Sequence, residues 1–206
     1  LIRESLKLGF LASGNGTSAR AIVGAIKAGQ LQAEPRLLVA NSRKASAMDF
    51  AREAGLASLC IPTQADPQGA DEALAAEMAA HGVELIVLSG YLRSIGPATL
   101  ARYAGRILNI HPGPLPTFGG RGMYGRRVHE AVIAAGEHAS EICILVVEEE
   151  YDRGPVIARR AVPVRPNDDA AALESRVAAA EPDFFVETLQ RIISGELHLP
   201  ISDNIH

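Results

Sequence analysis

Tryptophan is absent from the 206 residues, and aromatic side chains make up only 4% of them. Proteins that grip single-stranded nucleic acid stack bases on aromatic faces, so that class of function is disfavoured from the outset. Positive charge is scarce too: 20 Lys and Arg stand against 24 Asp and Glu, with no basic block to follow a phosphate backbone. The two cysteines, Cys60 and Cys143, are too few and too far apart for a disulfide framework or a zinc knuckle. His129 and His138 show no metal-site spacing, so no metal is expected and both are read as solvent-facing. No apolar run has the length of a membrane span. Leu1-Ile2-Arg3-Glu4-Ser5 has neither the apolar core nor the cleavage site of a signal peptide. The expectation is a cytoplasmic protein, monomer or homodimer, that works on small molecules without a nucleic-acid or membrane partner.

What is there is an α/β pattern. Apolar residues form 48% of the chain, ample for a two-sided core in a single domain over 1–206. Short apolar runs at 6–12, 36–40, 57–61 and 83–89 alternate with stretches of helical spacing at 19–28, 45–54 and 70–80. Strand–helix units in succession predict a doubly wound, mostly parallel sheet flanked by helices, Rossmann-like in its N-terminal half, residues 1–105. A helical pattern over 168–195 contains Glu181-Pro182, where an interruption is expected. The last residues read as a tail.

The first strand ends in Ser13-Gly14-Asn15-Gly16-Thr17-Ser18 and a helix follows. Glycines allow the tight turn, and the unbonded N–H groups of a first helical turn attract anions. Gly16, Thr17 and Ser18 are therefore candidate phosphate-binding residues. Gly14-x-Gly16-x-x-Ala19 also fits a dinucleotide fingerprint, which wants an acid closing the second strand. Here that strand ends in Asn41-Ser42-Arg43, and the nearest acid, Asp49, lies on the next helical stretch. NAD is demoted.

The C-terminal half, 106–206, opens on Arg106-Ile107-Leu108-Asn109-Ile110-His111-Pro112-Gly113-Pro114-Leu115-Pro116. Side chains two apart on a strand share a face, so the Asn109 amide and the His111 imidazole are presented together. Proline then stops the strand. Such strand ends are where open α/β sheets place ligands. The glycine-rich segment Thr117–Gly125 follows and reads as a covering loop.

Asn-x-His-Pro-x-x-Leu-Pro, followed by Asp152-Arg153-Gly154-Pro155-Val156-Ile157, resembles the folate-dependent formyltransferases. With the Ser13–Ser18 loop ahead of them, three separated motifs stand in the right order, and the resemblance runs from about Lys7 to Leu197. It implies the formyltransferase fold, and transfer of the formyl group of 10-formyltetrahydrofolate to the amine of glycinamide ribonucleotide in purine biosynthesis. By the same resemblance Asn109 donates to the oxyanion, while His111 donates and moves protons. Asp152 holds the imidazole, and its charge is expected to raise the histidine pKa above ~6.5. Leu92, Arg93, Ser94 and Ile95, with Asn109, fall where that family embraces folate, and Glu181 falls where it holds the substrate ribose.

Two places depart from the pattern. The family carries a second His, in a Ser/Thr-x-His pattern, on the strand before the Asp loop. Leu145 occupies that place here, and Cys143 stands where Ser or Thr is customary. The basic residue that often approaches the folate tail is missing from Thr63–Gly69. A relative with another amine acceptor, or a non-catalytic folate- or nucleotide-binding homologue, therefore stays open. Relatives with a C-terminal tRNA-binding domain or an extra N-terminal domain are disfavoured by length, as are sugar-nucleotide formyltransferases, which also lack this phosphate loop in its usual form.

Overall fold

A computed structural model describes residues 5–200, so the tail expected at 201–206 lies outside the described residues. Seven strands form one sheet: β1 Leu6–Ala12, β2 Ala33–Ala40, β3 Ser58–Cys60, β4 Leu85–Leu88, β5 Ile107–His111, β6 Ala139–Val146 and β7 Val156–Pro163. Their order is β3-β2-β1-β4-β5-β6-β7. All pairs from β3 to β5 are parallel, and β6 is antiparallel to both of its neighbours. The doubly wound, mostly parallel sheet read from the sequence is the sheet observed.

Among the described residues six helices cover its two faces: α1 Thr17–Lys27, α2 Ser46–Ala54, α3 Pro67–Ala80, α4 Pro97–Arg102, α5 Arg126–Ala134 and α6 Ala170–Ser194. One core lies between the sheet and α1, α2, α5 and α6, built from residues such as Phe10, Ile22, Val128, Val132, Val177 and Phe185. The other packs Leu74 and Met78 of α3 against Leu11, Leu37 and Ile86. Fully buried parallel strands such as Leu85–Leu88 are apolar throughout for this reason.

Two of the helices, α3 and α6, differ from the pattern reading for identifiable reasons. α3 begins at Pro67 rather than Ala70, because the Asp66 side chain accepts the Gly69 N–H at 2.9 Å and proline sits in the first turn. α6 runs unbroken through Pro182. Proline removes one helical N–H, yet Leu173, Val177, Phe184, Phe185 and Leu189 bury a continuous face on both sides of it. That packing holds the helix together. The Ala178 carbonyl, whose helical donor Pro182 lacks, belongs to a residue lining the large cavity.

The strand order reverses between β1 and β4, the switch point where such sheets bind ligands. The loops after these two strands are tied together there. Ser13 N–H donates to the Gly90 carbonyl at 3.2 Å, and Ala19 N–H to Ser89 Oγ at 2.9 Å.

Candidate active site

A cavity of about 740 Å³ opens at this switch point, within the size range of small-molecule sites. Its first wall is the Gly loop. Gly16 precedes α1 with φ of +67°, a left-handed conformation, and a Cβ there would also approach Ala47 Cβ to 3.0 Å. Glycine is required on both counts. The N–H groups of Thr17 and Ser18 bond to no described residue, and the first turn carries no acid. Arg20 braces the loop from behind, donating to the Asn15 and Ser46 carbonyls at 2.9 and 3.0 Å. The result is a turn of free N–H groups at the positive end of α1, a geometry suited to an anion.

The second wall comes from the end of β5. Asn109 lines the cavity, and its amide makes no hydrogen bond to any described residue. His111 is 2% exposed. Its Nε2–H donates to the Phe118 carbonyl at 2.8 Å, which assigns the neutral tautomer and leaves Nδ1 as the working nitrogen. Nδ1 lies 3.4 Å from Asp152 Oδ2. That same oxygen accepts the Gly120 N–H at 3.0 Å. The Thr117–Gly125 segment thus grips both members of the pair through its backbone.

Asp152 reaches this position from a turn in which its own φ is +56°, a conformation Asp tolerates better than most residues. Gly154 closes the turn so tightly that any Cβ would strike the Val146 carbonyl. The Asp-x-Gly-Pro spacing is therefore a geometric requirement. Burial pulls the His111 pKa below its ordinary value; the Asp152 charge and the Phe118 carbonyl pull it back without overcoming burial. This corrects the rise expected from the carboxylate alone, because sequence does not show how completely the ring is covered.

The third wall is α6, where Glu181 lines the cavity with its carboxyl pushed up to about 7 by burial. The fourth is the segment after β4: Leu92, Arg93, Ser94 and Ile95 all line the cavity. Leu92, Tyr124 and Tyr151, 68%, 57% and 45% exposed, are the large apolar side chains left open among the described residues, and all three edge this cavity. Ser94 Oγ and Tyr151 OH share a hydrogen bond that joins two of the surrounding loops. Every site residue singled out in the sequence therefore faces one cavity. Glu148, Glu149 and Glu150 are exposed, as a solvated run should be, yet also stand at its edge.

Leu145 pairs directly with Asn109 across the sheet, so its side chain occupies the same face. It packs with Leu115, Cys143 and Val156, an apolar patch where an imidazole was looked for. One histidine was misread. His138 is exposed, but His129 is only 2% exposed and lines the cavity. Its helical spacing with Val128 and Val132, the buried stripe of α5, was the available signal.

An anion cradle, an amide and a buried His–Asp pair facing one another across an apolar-edged cleft describe an acyl- or formyl-transfer site on an α/β scaffold. Residues 6–189 match the sequence model of the family described as formyl transferase, and the chain belongs to that family. It is 32% identical over 189 residues to phosphoribosylglycinamide formyltransferase of Bacillus subtilis, covering 91% of this chain and 94% of that one. The chloroplastic protein of that name from Vigna unguiculata is 37% identical over 188 residues, 90% of this chain. The chain spans 60% of that plant relative's length. The crystal structure of glycinamide ribonucleotide transformylase 1 from Symbiobacterium toebii superposes with a TM-score of 0.87 at 30% identity, covering 98% of this chain and 92% of that one. No helix among the described residues is long and apolar enough to cross a membrane, and no group of side chains among them is arranged to hold a metal ion.

Proposed function

We propose that this protein transfers the formyl group of 10-formyltetrahydrofolate to the amine of glycinamide ribonucleotide. The observation that carries the reading is the placement of Asn109 and the His111–Asp152 pair between an anion cradle and an apolar-edged cleft. The cradle at Gly16, Thr17 and Ser18 takes the substrate phosphate, and Glu181 takes ribose hydroxyls. The apolar side chains of Leu92 and Ile95 flank the folate ring, with Arg93 and Ser94 beside them. When bound, the folate supplies an activated formyl carbon. A cytoplasm holding free nucleotides and reduced folate goes with this reading.

The chain's own groups then divide the work. Asn109 donates its amide N–H to the formyl oxygen as negative charge grows there, a contribution of roughly 3–4 kcal/mol for a donor of this kind. His111, protonated at Nδ1, donates to the same oxygen. As the amine forms its bond to carbon it loses a proton, which Asp152 accepts through water; His111 gives its Nδ1 proton to the departing nitrogen as the bond from that nitrogen to the formyl carbon breaks, and recovers one from Asp152. Holding both substrates in attack geometry is worth more, about 7–11 kcal/mol. Positioning dominates.

The test is formyl transfer from 10-formyltetrahydrofolate to glycinamide ribonucleotide by the wild type, with His111→Ala alongside. Turnover that disappears in the variant is the expected result. Tight binding of both ligands without turnover in the wild type would reduce the protein to a binding homologue, and failure to bind glycinamide ribonucleotide would mean another amine acceptor.

A further inference from the structure

His129 is almost wholly enclosed, and its Nδ1 has no solvent contact and no hydrogen-bond partner among the described residues. A buried unpaired polar atom costs stability, and unpaired acceptors are tolerated better than unpaired N–H groups. The neutral imidazole therefore keeps its proton on Nε2 and leaves the bare lone pair inside. Protonation would strand an N–H at Nδ1. Burial accordingly lowers the His129 pKa; Glu174 opposes this, while His111 and Arg126 add to it. The Glu174 carboxylate is spent on Arg126, which it meets at 2.7 Å.

The ring lines the cavity beside α6. What α6 places along it is Glu174, Val177, Ala178 and Glu181, whose side chains bring carboxyl groups and apolar carbon. The side chains beside α6 in this cavity that always carry an N–H are those of α5, His129 and Arg127. On the opposite side, Leu145 provides none.

We propose that His129 is a further substrate-binding residue whose Nε2–H donates to a phosphate or ribose oxygen of the amine substrate. The inference rests on the function proposed above for its substrate class. It adds a contact from α5, an element to which the sequence assigned no role in binding.

Three variants separate this from a packing role. Glutamine places an amide N–H where His Nε2 stands, asparagine mimics Nδ1 instead, and leucine removes both. Steady-state kinetics on the full chain should show the KM for glycinamide ribonucleotide raised about tenfold or more in His129→Asn and His129→Leu. That factor corresponds to the loss of one hydrogen bond. His129→Gln should stay within about threefold of wild type, and the KM for 10-formyltetrahydrofolate should hold in all three. Equal KM values in the Gln and Asn variants would overturn the proposal, even if the Leu variant does not fold. Calorimetric binding of ribose 5-phosphate to the same proteins keeps the two readings apart. If the wild type does not turn over but binds ribose 5-phosphate in a way that Gln preserves and Asn loses, the proposed reaction fails and the His129 contact stands. Ribose 5-phosphate binding that is absent, or insensitive to residue 129, would overturn the contact.

Discussion

Asp152 Oδ2 stands 3.4 Å from His111 Nδ1, while the other ring nitrogen is held at 2.8 Å by the Phe118 carbonyl. The imidazole is thus fixed at both ends and can exchange protons only on its Asp152 side. Replacing Asp152 by Asn removes the charge that partly offsets burial. The His111 titration midpoint, followed by NMR, should move further down, and kcat should fall about 10²-fold or more. An unchanged midpoint with an unchanged rate would remove Asp152 from the mechanism.

Glu181 offers a test by pH. Its carboxyl is raised to about 7 by burial, so the folded protein resists an ionisation that the unfolded chain undergoes near its ordinary value of 4.5. Stability contributed by the protonated form is complete below pH ~4.5 and is lost as pH rises through about 7. Glu181→Gln should therefore match the wild type in denaturant unfolding at pH 5 and exceed it at pH 8, by on the order of 2–3 kcal/mol. The same variant should bind glycinamide ribonucleotide more weakly. Equal stability gains at both pH values would refute the assigned titration.

Gly16 joins strain and function at one position. An alanine there must adopt φ near +67° and meet Ala47 Cβ at 3.0 Å. Gly16→Ala should cost about 1–2 kcal/mol in unfolding. By tilting the Thr17 and Ser18 N–H groups it should also raise the KM for the phosphorylated substrate about tenfold. A KM unchanged in a destabilised variant would mean that phosphate binds elsewhere.

The relation between chain and structure is uneven for physical reasons. Period-2 presentation put Asn109 and His111 on one face, and the Gly-rich turn after β1 marked the switch point, because both signals are local. α6 was harder to read: Pro182 is a local breaker, and what overrides it is the burial of Phe184, Phe185 and Leu189 against distant strands. His129 was hidden for the same reason. Its spacing with Val128 and Val132 was a faint local signal, and the full enclosure of the ring comes from the packing of α5 in the fold. The His111 pKa depended on a similar long-range fact, since burial of the ring outweighs the carboxylate visible in sequence.

Leu145 stands where the resemblance leads one to expect an imidazole, and that has a measurable consequence. The side chain is 2% exposed and packs with Leu115, Cys143 and Val156. An imidazole in that patch would exchange apolar contacts for a polar ring with only Asn109 across the strand pair. Leu145→His should therefore lose about 1–3 kcal/mol of stability at pH 8. The loss should grow as pH falls below ~6.5, because the unfolded chain binds a proton that the buried ring resists. Leu145→Ala serves as the control: it should lose stability through the cavity it leaves, with no pH dependence beyond that of the wild type. If the His variant's loss does not vary with pH, the imidazole has found a partner or water, and the apolar patch is less closed than its packing indicates.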